Sequence, residues 1–257
     1  MKVAIAGAGG RMGRTLIDGV LADPELALAA ALDAPGAAAI GQVAGALRIT
    51  DDLGALASAD VLIDFTRPEG TLVHLQACVG RNKRMVIGTT GFSEAQAAGI
   101  AQAARRIPIV LSPNFAIGVN VVFRLAQTAA KALGDAYDVE IVEAHHRHKV
   151  DAPSGTALKL GELVAQALGR DLRQVATHGR HGDTGERPAK AIGFHAIRGG
   201  DIVGEHTVIF AGMGERVEVA VRSQSRMTYA AGALRAAKWL AGRGPGLYDM
   251  FDVLGLK

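Results

Sequence analysis

The chain opens with a short apolar run, residues 2–6 (KVAIA), that breaks into Gly7-Ala8-Gly9-Gly10-Arg11-Met12-Gly13 and then into a helical pattern. That order constrains the fold more than any other feature. The apolar run suits a buried strand, and residues 11–22 place Met12, Leu16, Val20 and Leu21 at helical spacing. The glycines stand at 7, 10 and 13, as G-x-x-G-x-x-G, because Met occupies position 12. Such glycines allow a tight turn and let a pyrophosphate approach the free N–H groups of a helix start. A tight turn alone would also need them; their place between the first strand and a helix is what points to a dinucleotide.

The first half continues the alternation. Strands are predicted over residues 26–32, 60–64, 84–88 and 107–111, and helices over 69–80 and 93–105, with Pro68 and Ser93 suited to helix starts. Short apolar strands alternating with helices predict a doubly wound parallel sheet of the Rossmann type. In such sheets ligands sit beyond the carboxyl ends of the strands. Asp33 falls at one such end, where a carboxylate can accept hydrogen bonds from the adenosine ribose. The next residue is Ala34 rather than a cation, which favours NADH over NADPH, although Arg11 could still meet a phosphate. Gly88-Thr89-Thr90 and Ser112-Pro113-Asn114-Phe115 follow two further strands, as ordinary turns or as partners for a nicotinamide and its ribose.

Composition narrows the class. Hydrophobic residues are 49% of 257, enough for sizeable cores, while aromatics are only 4%, which favours helices packed closely on sheets. The single cysteine, Cys78, excludes an internal disulfide and reads as a small apolar residue inside a helix. Neither a secretory signal nor a run of about 18 uncharged apolar residues is present, so a cytoplasmic protein that spans no membrane is expected. A formal charge of +3, with no basic run interleaved with aromatics, gives no reason to expect nucleic acid as a partner.

The second half carries a helix over 118–133 and a strand over 138–145 that leads into EAHHRHKVDAPSGTA, residues 143–157. His145, His146, Arg147, His148 and Lys149 can all be positive, and Ser154-Gly155-Thr156 then opens a helix over about 156–168. Free N–H groups and hydroxyls at a helix start bind anions. A solvated basic loop and a zinc site are the other readings, but adjacent histidines ligate awkwardly and Arg147 and Lys149 would repel a metal; no metal is expected. An anionic substrate with acid/base groups beside it accounts for more of the pattern, since His and Lys suit proton transfer. Strands over 189–197, 203–211 and 216–222, expected to be antiparallel, and a helix over 228–241 complete an α+β second domain with a mixed open sheet.

Taken together, GAGGRMGR (7–14), DFTRPEGT (64–71), GTTGF (88–92), EAHHRHKVDAPSGTA, GDIVGEHTV (200–208) and SRMTYAAGA (225–233) resemble the dihydrodipicolinate reductase family across essentially the whole chain. The resemblance implies NAD(P)H-dependent reduction of a cyclic dicarboxylate, 4-hydroxy-tetrahydrodipicolinate, in lysine and diaminopimelate biosynthesis. It implies His145 as acid/base residue and Lys149 as proton donor. It gives His146, Ser154, Gly155 and Thr156 to the substrate. Gly7, Ala8, Gly9, Gly10, Arg11, Met12, Asp33, Gly88, Thr89, Thr90, Ser112, Pro113, Asn114 and Phe115 would contact the cofactor. It also implies a dinucleotide-binding domain of residues 1–115 and 225–257, a substrate-binding and oligomerisation domain of 116–224, and a homotetramer. An Arg often follows the acid in that family, so Ala34 is a departure that makes NADH preference the expectation here.

Overall fold

The computed structural model describes residues 1–257. The elements in chain order are β1 (Lys2–Ala6), α1 (Arg11–Ala22), β2 (Ala27–Leu32), β3 (Val43–Ala44), β4 (Leu47–Arg48), β5 (Val61–Asp64), α2 (Pro68–Gly80), β6 (Arg84–Ile87), α3 (Glu94–Ala103) and β7 (Pro108–Leu111). They continue with α4 (Ile117–Leu133), β8 (Asp138–His145), α5 (Gly155–Ala167), α6 (Leu172–Val175), β9 (Ala176–His178), β10 (Ile192–Arg198), β11 (Gly204–Ala211) and β12 (Arg216–Ser223). The chain closes with α7 (Met227–Trp239), β13 (Gly246–Tyr248) and α8 (Met250–Leu254). Two compact units result: Met1–Ile117 with Arg226–Lys257, and Gly118–Ser225. No helix is long and apolar enough to cross a membrane.

The first unit is built on a parallel sheet in the order β13-β7-β6-β5-β1-β2. Side chains alternate across its strands, so each strand feeds two cores. Val3, Ile5, Val61 and Ile63 pack on one side against α1 (Leu16, Ile17, Val20), α7 (Ala233, Leu234, Ala237) and α8 (Val253). Ala4, Ala6, Leu62 and Met85 pack on the other against α2 (Leu75, Cys78) and α3 (Ile100, Ala103). That is the doubly wound arrangement. Cys78 lies inside α2, and its burial pushes the thiol up to about 12, so it stays a protonated apolar residue at neutral pH. Gly232 on α7 is a close-approach glycine: a Cβ there would stand 1.7 Å from the Phe115 carbonyl oxygen.

The second unit is a mixed sheet in the order β12-β11-β8-β10-β9. The three strands β10, β11 and β12 were expected to be antiparallel, and the structure corrects this for one of them. β11 runs antiparallel to β8 and β12, but β10 runs parallel to β8 and carries β9 parallel on its far side. β10 also begins at Ile192 rather than residue 189, because Arg187 to Ala191 is a turn closed by an Ala191 N–H to Pro188 O bond of 3.0 Å. A parallel neighbour needs a long crossover, and α5, α6, β9 and the loop after it supply one between β8 and β10.

Candidate active site

In the first unit the strand order reverses about β1, whose neighbours are β2 and β5. Ligand crevices of open α/β sheets form at such a reversal. A cleft of about 900 Å³ lies there, lined by Gly7, Gly10 and Arg11 after β1, Asp33 and Ala34 after β2, and Phe65, Thr66 and Arg67 after β5, with His74 of α2. Gly7 has φ +70°, which favours glycine, and a Cβ at Gly13 would stand 2.0 Å from the Gly7 carbonyl oxygen. These two glycines let α1 start directly over the end of β1. Gly10 caps that helix with no side-chain hydrogen bond, which leaves first-turn N–H groups open to a phosphate. The residues therefore fit a dinucleotide.

The other proposed cofactor contacts divide by exposure. Asp33 accepts the Gly9 N–H and its neighbour Ala34 N–H, each at 2.8 Å, so it holds the glycine loop while lone pairs remain for a ribose. Ala8 is core, donating its N–H to Leu32 O at 2.9 Å, and Met12 packs against the same core. The Thr89 side chain turns inward to Thr71 at 2.8 Å, whereas Thr90 is exposed. Gly88 faces the Phe65 ring, where a Cβ would clash at 2.2 Å. Ser112 donates to Asn114 O at 2.9 Å, and Asn114 Oδ1 accepts the Ala116 N–H. Pro113 is exposed and Phe115 is buried edge-on to Phe65. Ala8, Phe115 and Thr89 are buried, at 0%, 1% and 5% exposure.

Behind Thr89 lies a pair that the sequence reading passed over. Asp64 ends β5 with 0% exposure and accepts from His74 Nδ1 at 2.7 Å, from Thr66 N–H and hydroxyl at 2.9 and 2.7 Å, and from Thr71 at 3.2 Å.

In the second unit the end of β8 does the positioning. Its apolar-facing residues are Val139, Ile141, Glu143 and His145, two apart as a strand requires. Glu143 is 1% exposed and lies against four nitrogens: Arg198 Nη1 (2.7 Å) and His145 Nδ1 (2.6 Å) at Oε2, and Arg198 Nη2 (2.7 Å) and Ser154 N (3.0 Å) at Oε1. Register explains the meeting: Arg198 of β10 lies opposite His145, and His206 of β11 lies opposite Glu143. His206 Nε2 is 3.0 Å from Ser154 Oγ, and its ring stands edge-on to His145 with centroids 5.1 Å apart. Ser154 in turn caps α5 by accepting the Ala157 N–H at 3.2 Å.

The electrostatics follow from burial. Burial alone would raise Glu143, but the Arg198 fork, His145 and the Ser154 N–H outweigh it and hold the carboxyl below its usual range. Burial pushes His145 down, and it prevails over the opposing pull of Glu143. Burial, then the neighbouring His145, pushes His206 down to about 4. His145 and His206 are therefore neutral imidazoles at neutral pH, beside the Arg198 guanidinium. Lys149 gives its ammonium to both oxygens of Asp151, each at 2.8 Å, and Arg198 Nη2 holds the Asp151 carbonyl at 2.7 Å. His146 is half-buried with an unpartnered Nδ1, while Arg147 and His148 are exposed. A Cβ at Gly155 would meet nothing within 4 Å, so open space faces the start of α5 beside Thr156. The structure thus links His145, Lys149 and Ser154-Gly155-Thr156 through Glu143 and Arg198. Glu143 had a sequence signal, as a carboxylate two residues before His145 on one strand face. Arg198 had none, and His206 had only its place in GDIVGEHTV, because strand register is what brings them in.

Family models described as dihydrodipicolinate reductase, N-terminus, and dihydrodipicolinate reductase, C-terminus, match residues 1–115 and 118–254. The chain belongs to the dihydrodipicolinate reductase family. That makes it an NAD(P)H-dependent oxidoreductase. Two relatives named 4-hydroxy-tetrahydrodipicolinate reductase agree. One, from Thiobacillus denitrificans, is 58% identical over 100% of this chain and 99% of its own. The other, from Aromatoleum aromaticum, is 60% identical over 100% and 96%. A dipicolinate-bound dihydrodipicolinate reductase from Paenisporosarcina superposes with a TM-score of 0.80 at 26% identity over 98% of each chain. An NAD complex of GenD2 from gentamicin A biosynthesis shares the fold, with a TM-score of 0.61 at 15% identity over 100% of this chain and 90% of the other.

Proposed function

We propose that the chain reduces 4-hydroxy-tetrahydrodipicolinate to tetrahydrodipicolinate in lysine and diaminopimelate biosynthesis. The observation that carries this reading is the assembly at the end of β8, where a histidine, a lysine and an open helix start are tied to one carboxylate–guanidinium pair. A reduced nicotinamide, when bound, supplies hydride to a ring carbon conjugated with C=N. One hydride and one proton are added and water is lost. The chain's residues do the rest. The start of α5, through Gly155 and Thr156, takes one carboxylate with N–H groups and a hydroxyl, and His146 assists. Lys149 exchanges its Asp151 partner for the substrate and donates the proton, with His145 as the acid/base group beside it.

The cofactor reading assigns the glycine loop and Asp33 to the adenosine diphosphate end, and the Gly88–Thr90 and Ser112–Phe115 segments to the nicotinamide end. The first unit is then the dinucleotide-binding domain and the second the substrate-binding and oligomerisation domain. NADH is the preferred donor, because Ala34 offers no charge to a 2′-phosphate. Arg11 and Arg67 in the same cleft are the groups that would oppose this preference. Exposed Ile197, at 52%, on the second sheet is consistent with its burial in a cytoplasmic homotetramer.

The test is direct. Purified protein is mixed with fresh dihydrodipicolinate synthase product, made from pyruvate and aspartate semialdehyde, and NADH or NADPH absorbance is followed. Oxidation that requires the synthase product is expected, faster with NADH. Folded protein that binds NADH yet oxidises neither cofactor would refute the substrate, and equal specificity constants would refute the preference.

A further inference from the structure

Glu143 is more than half of a buried ion pair. Its two oxygens face four nitrogens, and three of them, the two of Arg198 and the backbone nitrogen of Ser154, can only donate. Both oxygens therefore accept, and the guanidinium fork with the Ser154 N–H holds the group as a carboxylate. The fork sets the carboxylate plane, because a guanidinium binding both oxygens leaves it no rotation. The fourth partner, His145 Nδ1, then sits 2.6 Å from an oxygen that has no proton to give. Two lone pairs cannot approach so closely, so Nδ1 carries the hydrogen. The neutral ring is left with its lone pair on Nε2, and the one side-chain hydrogen bond of His145 within the chain is that of Nδ1.

We propose that Glu143, clamped by Arg198, is a positioning residue that holds His145 in its Nδ1–H form, so that Nε2 is the one nitrogen able to exchange a proton with the ligand. A histidine whose second nitrogen is oriented by a third group is the general pattern of acid/base sites. His206 supports the same orientation from β11. Its Nε2 is hydrogen-bonded with Ser154 Oγ at 3.0 Å, which keeps the ring edge-on against His145.

This inference rests on His145 being the acid/base group, so the experiment separates the two. Nitrogen-15 NMR of the imidazoles is recorded for the wild type, Glu143→Gln and the pair Glu143→Leu/Arg198→Met. The pair removes both charges and so leaves no buried ion unpaired if the single change fails to fold. Kinetics on the same proteins and on His145→Ala, and NADH binding by fluorescence titration, complete the set. Wild-type neutral His145 is expected to carry its proton on Nδ1, and the variants are expected to gain the Nε2–H form. Loss of the carboxylate also removes the neighbour that favours the imidazolium, which Arg198 and Lys149 oppose and which the neutral His206 faces from β11. The acid limb of the kcat profile therefore moves to lower pH. Turnover falls by about 10- to 100-fold, in line with the loss of partners that orient metal-bound histidines, while the Kd for NADH is unchanged. A wild-type Nε2–H form, or variants that keep wild-type kcat where His145→Ala loses it, would overturn the proposal. Full activity in His145→Ala would instead refute the role of His145, and the spectra alone would then decide whether Glu143 sets the ring.

Discussion

Asp64 in the first unit and Glu143 in the second occupy matching places, each buried near the carboxyl end of a central strand and each bonded to a histidine Nδ1, at 2.7 and 2.6 Å. Their other partners differ. Asp64 collects threonine hydroxyls and a backbone N–H from β5, its loop and α2, with Thr89 joined through Thr71. Hydroxyls rotate to suit, so this arrangement ties loops together and adapts. Glu143 is held by a guanidinium fork whose geometry does not adapt. One carboxylate knits the frame of a binding cleft; the other dictates where one proton sits.

The contrast can be broken most forcefully at the reacting end. Lys149→Ala is expected to lower kcat by about 100-fold or more while leaving the NADH Kd within the range of the wild type. Comparable losses in both, by stopped-flow and fluorescence titration, would remove the distinction between a chemical unit and a binding unit. The pH dependence of stability comes next. His206 is pushed down to about 4 in the fold, whereas an unfolded histidine protonates near 6.5. The unfolded chain thus takes up a proton first, and stability present above about pH 6.5 is lost as pH falls towards 4, on the order of 3 kcal/mol in all. Urea denaturation across that range should show the loss, and His206→Asn should flatten it.

Asp64→Asn should act on the other side of the comparison. It leaves His74 or the threonines facing a donor, which costs about 1–3 kcal/mol of stability, and it weakens NADH binding with little change in the pH profile of kcat. A thermal melt and an NADH titration read the two. The smallest effect concerns specificity. Ala34→Arg should tighten NADPH relative to NADH by about tenfold, through one charge-assisted contact with the 2′-phosphate. No change would mean that Arg11 or Arg67 already serves that phosphate.

Much of the first unit was legible because local rules act there. Gly7 and Gly13 answer to a positive φ and a close approach, and Val3-Ala4-Ile5-Ala6 alternate as a strand facing two cores must. β3, β4, β9 and β13, at two or three residues each, are too short to show a period and were not anticipated. The basic run 145–149 announced an anion site, yet the groups that organise it did not. Arg198 and His206 lie more than 50 positions beyond Glu143 in the sequence, and the register of β10 and β11 alone delivers them. The parallel setting of β10 was equally hidden, since sequential strands suggest a hairpin.

The division of the chain also has a consequence for synthesis. The first unit is completed by Arg226–Lys257, which returns after the whole of the second. α7 and α8 cover one face of the first sheet, over Val3, Ile5, Val61 and Ile63, and β13 pairs with the edge strand β7. On the ribosome that apolar face and that strand edge stay open while Gly118–Ser225 is translated and can fold as a unit. The nascent chain therefore carries an exposed, aggregation-prone surface until Arg226–Lys257 emerges, and chaperones would find it during that interval.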